Sequence, residues 1–306
     1  MNNQIAFRIL LRGGLGNQLF QYFSARELAA KASASLVLDA RLLPPATRHS
    51  RFKPSEFPEE ISSFLHDGKI VNLATERSLS NEVQRWLQVR IAQHLRASGK
   101  NQVRELPNFF HFSGNDAIES APIFSSASDL VLNHPFLNPS IFQYPKDQSV
   151  RTLESLTNPS PWFSAKKAEI LRQRPLAIHH RLGDHVHLGT PATLDYIAQA
   201  ISTLKDTPQS DKIFVFTDDI SKSKEILNVL PYSLEYIEPP MQSRPIESLV
   251  LMAKSRALVM SSSSFSWWAG TLGSHSGLVS AINSEWLNQP ATPEFFRKMP
   301  SAWVRV

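Results

Sequence analysis

The feature that most constrains the fold is an alternation of short apolar runs with helical stretches in the second half of the chain. Four runs are typical of buried strands: "PLAIHH", "KIFVFTDD", "ALVMSSSS" and "GLVSAI". Between them, apolar residues recur at helical spacing, most clearly over 194–204 and 245–254. Because strands that alternate with helices favour a parallel sheet, this half is predicted to be an α/β domain.

The first half begins with the same pattern. The strand-like run "IAFRILLR" precedes the helical pattern of "GGLGNQLFQYFSARELAAKAS", and "SLVLD" at 35–39 is the next predicted strand. A Pro-rich stretch, 44–58, predicts a loop, and a cluster of Asn, Ser and Pro at 157–163 predicts a domain boundary. Since 306 residues are many for one core, we predict an N-terminal α/β domain over 1–160 and a C-terminal domain over 161–306.

The composition excludes several classes of protein. The chain has no cysteine, which excludes disulfides, thiolate catalysis and cysteine metal sites. No apolar run approaches the roughly 20 residues that span a bilayer, and the N-terminus lacks a signal-peptide pattern, so a cytoplasmic protein is predicted. The 32 basic against 27 acidic residues suit an anionic ligand. No nucleic-acid-binding motif accompanies them, so nucleic acid is not an expected partner.

Glycine is scarce, and eight of the 11 glycines follow three predicted strands. They are Gly13, Gly14, Gly16, Gly183, Gly189, Gly270, Gly273 and Gly277. In doubly wound sheets, ligands bind at the loops that leave the carboxyl ends of strands. We therefore expect these glycines to mark a ligand site.

The first glycine cluster, "GGLGNQLF", resembles a dinucleotide-binding fingerprint but has Leu19 where the third glycine belongs. A tight turn from strand to helix accounts for the glycines, and we assign Gly14 and Gly16 to structural support. Such a turn does not require Asn17 and Gln18. These two amides at the start of a helix suit hydrogen bonding to a sugar or a phosphate.

A second set of chemically able side chains lies in "AIHHRLGDHVH", which carries His179, Arg181, Asp184, His185 and His187. An arginine at a strand end can bind a phosphate through two hydrogen bonds, and an aspartate can orient it. Asp184 and the last two histidines are also able metal ligands, but three ligands would then have to converge from one short loop. A third interpretation, partly solvated surface histidines, applies to His180 and His187.

A third candidate is the pair Asp218 and Asp219 at the end of "FVFTDD". A carboxylate there can accept hydrogen bonds from a base or a ribose, whereas a helix cap before "ISKSKEIL" would be a structural role. One aspartate can cap while the other binds. The chain contains no Asp-x-Asp, the usual metal–pyrophosphate clamp of many sugar-nucleotide transferases, which favours a metal-free mechanism based on arginine and helix dipoles.

The segment "SSSSFSWWAG" sets four hydroxyls directly before three aromatic residues. "ALVM" predicts a strand, the serines a loop, and a helix begins near Ser264. Amides and hydroxyls at a helix start form a phosphate cradle, and Trp267 and Trp268, packed in the core, would hold that cradle rigid as structural support. The candidate phosphate ligands of this segment are Ser262, Ser263, Ser264 and Phe265.

In this order the segments resemble the α-1,2-fucosyltransferases of glycosyltransferase family 11. The family motifs Gly-Gly-Leu-Gly-Asn-Gln, His-x-Arg-Arg-x-Asp, strand-Asp-Asp and Ser-Thr-Phe-Ser-Trp-Trp fall on 13–18, 179–184, 216–219 and 263–268. The match extends from about residue 8 to about residue 290, with 44–125 poorly covered.

The resemblance implies a fold and a reaction. The expected fold is α/β, with two Rossmann-like domains in a GT-B-like arrangement, the first on the acceptor side and the second binding a GDP-sugar. The expected reaction moves L-fucose from GDP-β-L-fucose, with inversion, to a glycan hydroxyl, typically O2 of a terminal galactose, in surface polysaccharide biosynthesis. The expected partners are GDP-fucose and a galactose-terminated glycan, and no cofactor or metal is expected.

The resemblance also implies roles for individual residues. Arg181, Ser263 and the helix start near Ser264 are expected to bind the donor phosphates. Asp218 or Asp219 is expected to bind the nucleoside. The general base stays open between the departing phosphate and three side chains of one loop: Asp184, His185 and His187.

Two further positions of the His-x-Arg-Arg-x-Asp motif bear on how the donor is bound. His179 is expected to support Arg181 or to contact the phosphate. Leu182 stands where the family has a second arginine, which leaves the sugar specificity open. Two alternatives therefore remain: a transferase for another GDP-sugar, and a non-catalytic sugar-nucleotide-binding scaffold in a glycan-assembly complex. Retention of Arg181 and Asp184 argues against the scaffold.

The segment 81–97, "NEVQRWLQVRIAQHLRA", is a basic amphipathic helix pattern. Its apolar residues favour packing into the first domain. Its three arginines with Trp86 favour the alternative, a peripheral contact with an anionic membrane that carries a lipid-linked acceptor.

Overall fold

The computed structural model of the protein describes residues 6–11, 14–31, 35–39, 71–74, 102–106, 109–113, 129–132, 156, 158–183, 192–204, 212–241, 243–289 and 299–306. The chain divides into two compact units, Met1–Lys146 and Asp147–Val306. The basic segment 81–97 lies outside the described residues. None of the helices within those ranges combines the length and the hydropathy that a membrane crossing requires.

The first unit contains a six-stranded sheet in the order β3-β2-β1-β6-β5-β4. All neighbouring strands run parallel except β4 and β5. Its strands are β1 (Ala6–Leu10), β2 (Ser35–Asp39), β3 (Val71–Ala74), β4 (Gln102–Leu106), β5 (Phe109–Ser113) and β6 (Asp129–Leu132). Helix α1 (Leu15–Lys31) lies between β1 and β2 in the chain, which confirms the predicted β-α-β start.

The second unit contains a six-stranded sheet, entirely parallel, in the order β12-β11-β10-β7-β8-β9. This confirms the predicted mixed α/β fold with a parallel sheet. Its strands are β7 (Leu176–His180), β8 (Lys212–Thr217), β9 (Ser233–Ile237), β10 (Ala257–Val259), β11 (Val279–Ile282) and β12 (Trp303–Arg305). The helices described in this unit are α2 (Pro161–Gln173), α3 (Leu194–Leu204), α4 (Ile220–Leu227), α5 (Pro245–Ala253), α6 (Ser264–Ser274) and α7 (Ser284–Asn288).

Strand β7 lies at the centre of this second sheet, and all five of its residues are buried. Successive side chains of a strand point to opposite faces. Leu176 and Ile178 share one face and belong to the same core cluster as Ile197 and Ile201 of α3. Burial on both faces explains why the strand is an apolar run rather than an alternating pattern.

The strand order reverses beside β7. From β7 the chain adds β8 and then β9 on one side, and it then crosses over to place β10 and β11 on the other side. In open parallel sheets the loops diverge at such a point, and ligands bind in the crevice outside the carboxyl ends of the strands. The described residues that directly follow β7, β8 and β10 therefore lie at the edge of the sheet where a ligand is expected.

Two glycines of α6 allow this helix to pack closely against its neighbours. A Cβ on Gly273 would lie 2.8 Å from the carbonyl oxygen of Ala253 in α5, and a Cβ on Gly270 would lie 2.9 Å from both Met260 Sδ and Trp303 Cζ2. The expectation that these glycines mark a ligand loop is wrong for both, because they lie inside a buried helix and serve close packing.

Candidate active site

The serine turn, residues 260–263, connects β10 to α6. Its last residue, Ser263, caps the helix, since Ser263 Oγ accepts a hydrogen bond from the Phe265 amide at 3.2 Å. The predicted helix start near Ser264 is thus confirmed. The Ser263 amide in turn donates to the Ser261 carbonyl at 2.8 Å. The first amides of α6 therefore follow a short, buried and internally hydrogen-bonded turn.

Aromatic packing anchors the serine turn. Trp267 and Trp268 are buried, and their ring centroids lie 5.3 Å apart in a nearly perpendicular arrangement. Trp267 also contacts Trp303 of β12, with ring centroids 5.9 Å apart. Truncation of a buried tryptophan to alanine typically costs about 3–5 kcal/mol of stability. The tryptophans therefore hold the start of α6 firmly against the sheet.

Ser261 joins the serine turn to the end of β7. Its hydroxyl accepts a hydrogen bond from the Arg181 amide at 3.0 Å and donates one to the His179 carbonyl oxygen. Sequence reasoning did not select Ser261, although it selected the three serines that follow. The signal that could have found it is its place as the first hydroxyl after β10, directly beside the end of the neighbouring strand.

A chain of hydrogen bonds sets the tautomer of His179. Its Nδ1 lies 2.9 Å from Ser266 Oγ, and Ser266 Oγ lies 3.1 Å from the Ser261 carbonyl and 3.4 Å from the Ser263 carbonyl. Carbonyl oxygens only accept, so the single hydroxyl proton of Ser266 is directed at them and Ser266 Oγ accepts from His179 Nδ1–H. We therefore assign the Nδ1-protonated tautomer to the neutral ring, which leaves Nε2 as its acceptor nitrogen. The Phe265 ring lies beside the imidazole, at 5.5 Å between centroids.

Asp218 organises the turn that follows β7. Its Oδ2 lies 3.2 Å from Arg181 Nε and accepts from the Gly183 amide at 3.1 Å, while its Oδ1 accepts from the Leu182 amide at 2.8 Å. A Cβ on Gly183 would lie 2.7 Å from Asp218 Oδ2, so this close approach requires a glycine. One carboxylate thus contacts three consecutive residues of the turn.

The neighbouring aspartate caps a helix. Asp219 is the N-cap of α4, and its Oδ1 accepts from the Lys222 amide at 3.1 Å. The two aspartates of "FVFTDD" therefore have different partners: Asp219 contacts its own helix, and Asp218 contacts the turn after β7. We call residues 218–219 the acidic turn.

His180 points to the opposite face of β7 from His179. It is fully buried, and its Nδ1 lies 2.8 Å from Ser223 Oγ of α4. Burial lowers the pKa of His180 to about 4, against a smaller raising effect from the charge of Asp218. The interpretation of His180 as a partly solvated surface histidine is wrong, because its place in a doubly covered strand puts it in the core.

Leu182, at the position of the motif's second arginine, has a buried side chain, 2% exposed. Its amide is one of the donors to Asp218. An arginine at this position would carry its charge into a buried environment unless the turn rearranged, which is costly without a partner. The leucine therefore contributes packing to the turn.

The remaining predicted residues fall into two groups. Asn17 and Gln18 lie in the first turn of α1, in the first unit. Their backbone N–H groups donate hydrogen bonds to the Gly14 carbonyl at 3.0 and 3.1 Å. Three members of the predicted loop lie outside the described residues: Asp184, His185 and His187. Among the residues that the structure does describe, no group of three or more His, Asp or Glu side chains could hold a metal ion.

Comparisons with known proteins place this chain among the glycosyltransferases. Two curated proteins of Escherichia coli align with nearly its full length: an α-1,2-colitosyltransferase, 23% identical over 97% of this chain and 97% of its own, and the O-antigen biosynthesis glycosyltransferase WbnK, 25% identical over 90% and 93%. The model of glycosyl transferase family 11 matches residues 169–304, which include Arg181, both aspartates and the serine turn. Over these residues the chain is similar to glycosyl transferase family 11.

A solved structure shows the same fold. It is a crystal structure, with GDP, of NodZ from Bradyrhizobium, an α-1,6-fucosyltransferase. NodZ is 15% identical to this chain, and the two structures align with a TM-score of 0.51 over 87% of this chain and 92% of NodZ. At this identity the similarity concerns the fold alone.

Proposed function

We propose that the protein transfers L-fucose from GDP-β-L-fucose to O2 of a terminal galactose, with inversion, and so forms an α-1,2-fucosidic linkage in a surface polysaccharide. The observation that carries this proposal is the position of Arg181 at the carboxyl edge of the parallel sheet. There its side chain pairs with Asp218 and its amide binds the serine turn at the start of α6.

The geometry suits a nucleoside diphosphate. Asp218 contacts the Nε edge of the guanidinium, so a bidentate contact to phosphate uses the Nη1 and Nη2 edge of Arg181. The amino end of α6 provides backbone amides and a partial positive charge. We assign the donor phosphates to these two groups, together with Ser263 and Ser264. The GDP in the crystal structure of NodZ supports a guanine nucleotide as the ligand of this fold.

In the proposed reaction, the bond from fucose C1 to the β-phosphate oxygen breaks while the acceptor O2 bonds to C1 from the opposite face. Negative charge develops on the departing GDP, and Arg181 and the α6 dipole stabilise it. The acceptor hydroxyl gives up its proton to a general base. Asp184, His185, His187 and the departing phosphate remain the candidates for that base. The proposal requires no metal ion, because fixed positive groups act on the pyrophosphate.

We further propose that residues 1–160 and 161–306 form two Rossmann-like domains of a GT-B-like enzyme, with 1–160 on the acceptor side. Asn17 and Gln18 at the start of α1 would then bind sugar or phosphate groups. Support comes from the parallel β-α-β start of the first unit and the fully parallel sheet of the second.

One observation favours a second candidate donor. The relative that aligns over 97% of this chain is a colitosyltransferase. Colitose is L-fucose without its 3-hydroxyl group, so the two GDP-sugars present the same pyrophosphate to Arg181. They differ at one hydroxyl, and hydrogen-bonding sites discriminate strongly at such positions.

The test is a panel of GDP-fucose, GDP-colitose and GDP-mannose against lactose and a lipid-linked galactose-terminated acceptor, with products read by mass spectrometry and the linkage by NMR. We expect a product from GDP-fucose with an α-1,2 linkage, and none with the Arg181→Ala control. Transfer from GDP-colitose alone would replace the donor in the proposal. Nucleotide binding with neither transfer nor slow donor hydrolysis would identify a non-catalytic scaffold.

A further inference from the structure

The carboxylate of Asp218 accepts two backbone hydrogen bonds and forms one ion pair, and all three partners belong to one short turn. They are Arg181 Nε at 3.2 Å, the Leu182 amide at 2.8 Å and the Gly183 amide at 3.1 Å. The Arg181 and Asp218 side chains are about one-fifth exposed, at 19% and 20%. The pair therefore lies at the rim of the site, where solvent weakens it only in part.

This arrangement restricts the arginine more than an ordinary ion pair does. Two backbone amides orient the carboxylate before it meets Arg181, so the acceptor is preorganised. The contact with Asp218 is made at Nε, so the carboxylate does not use the Nη1 and Nη2 edge of the guanidinium for this ion pair. Ser261 holds the main chain of Arg181 from the neighbouring strand β10. Arg181 is thus held by its side chain from β8 and by its backbone from β10.

We propose that Asp218 is a positioning residue that acts through Arg181: it presents the Nη1 and Nη2 edge of the arginine to the donor pyrophosphate and does not itself bind the nucleoside. The proposal rests on the proposed function for the identity of the ligand, but the contact between Asp218 and Arg181 does not depend on any ligand. It also explains Gly183, since any side chain there would displace the carboxylate.

The first experiment measures the contact itself. In the full-length protein without ligand, NMR of the arginine Nε–H groups should show a shifted and slowly exchanging Arg181 signal, assigned by its absence in Arg181→Lys. Asp218→Asn keeps the size of the side chain and one acceptor oxygen, but it removes the charge, so the signal should shift and exchange faster than in the wild type. The matched control is Asp195→Asn, an exposed carboxylate in the first turn of α3, which should leave the signal unchanged.

The second experiment measures affinity for GDP, pyrophosphate and guanosine. We expect Asp218→Asn to weaken GDP and pyrophosphate binding at least tenfold and to change guanosine binding less than twofold. In Arg181→Ala, the further change Asp218→Asn should have almost no effect, because a residue that acts through Arg181 has nothing left to position.

The outcomes distinguish positioning of Arg181 by Asp218 from direct binding of the donor by Asp218. Equal losses for GDP and guanosine in Asp218→Asn, or full additivity with Arg181→Ala, would show that Asp218 binds the donor directly and overturn the proposal. A fast-exchanging, unshifted Arg181 Nε–H in the wild type would overturn it even if Asp218→Asn does not fold. If the wild type binds neither GDP nor pyrophosphate, the proposed function fails, and the Nε–H measurement alone still decides whether Asp218 holds Arg181.

Discussion

The acidic turn and the serine turn both contact Arg181, but they contact different parts of it. The acidic turn after β8 binds the Arg181 side chain through the charge of Asp218, whereas the serine turn after β10 binds its amide through the neutral hydroxyl of Ser261. Each turn also begins a helix. Asp219 caps α4 with a carboxylate, and Ser263 caps α6 with a hydroxyl.

The difference favours α6 over α4 as the helix that receives the proposed phosphate. A helix amino end favours one negative charge nearby, and the amino end of α4 already has the Asp219 carboxylate. A second anion there would meet like charge. The amino end of α6 has only neutral side chains in its cap and first turn, so a pyrophosphate can approach it without repulsion. The serines are thus suited to the site because they satisfy the backbone without adding charge.

Replacing the arginine between the two turns should have the largest effect. A charge-assisted contact that is broken on one side costs on the order of 2–5 kcal/mol, so Arg181→Ala should lower kcat by at least roughly thirtyfold in a fucosyl-transfer assay. Arg181→Lys should recover little, because an ammonium group cannot make the paired contact. Circular dichroism checks that both variants fold. Near-normal turnover of the lysine variant would remove the bidentate assignment.

In the strand beside the acidic turn, His180 should make the free energy of unfolding fall at low pH. Its pKa is about 4 in the folded protein, below the ordinary value of 6.5, so its neutral form stabilises the fold. That contribution is complete above pH 6.5 and is lost as the pH falls towards 4; it amounts to about 3 kcal/mol. Urea unfolding at pH 7 and pH 4.5 measures the loss. His180→Gln should reduce the difference between the two pH values, and an unchanged difference would assign it to other groups.

On the side of the serine turn, Ser261→Ala should cost about 2 kcal/mol of unfolding free energy, since it removes two hydrogen bonds at a buried site. Donor affinity should fall with it because the Arg181 backbone loses its anchor. Ser262→Ala is the matched control one residue away, and it should have the smaller effect on stability. Equal losses of unfolding free energy for the two substitutions would show that the contact of Ser261 with β7 makes no special contribution to stability.

The two helix caps separate stability from binding. Asp219→Ala and Ser263→Ala each remove a cap worth about 1 kcal/mol, and thermal unfolding should show similar losses. Only Ser263→Ala should also weaken GDP binding, in a titration with GDP under the same conditions. A loss of GDP affinity in Asp219→Ala instead would move the phosphate to α4.

Removal of divalent metal should have the smallest effect. Arg181 and the amino end of α6 are proposed to supply the positive charge that a metal provides elsewhere. We therefore expect transfer activity to persist in excess EDTA, with at most modest stimulation by added Mg²⁺. Complete loss on chelation, restored by one metal, would instead assign His185 and His187 to a metal site.

Much of this site was predictable from local pattern. The helix start near Ser264, the strand ends at His180 and Thr217, and the parallel sheet all follow from apolar runs bounded by polar residues. These features depend on neighbours in the chain, so a sequence shows them directly. The short strand β12 escaped prediction because "WVR" has three residues and no such pattern.

The sequence by itself determined the class of fold. It also determined which predicted strands are followed by polar residues, and which residue types stand at those positions. Only the tertiary structure decided which aspartate caps a helix and which holds Arg181. Asp218 and its partners lie about 36 residues apart in the chain and meet because β7 and β8 pair with His180 opposite Thr217. His180 and Leu182 are both buried, although both lie in a polar segment of the sequence. The physical reason is that side-chain direction and burial depend on strand register and on the helices packed above, which no local window of sequence contains.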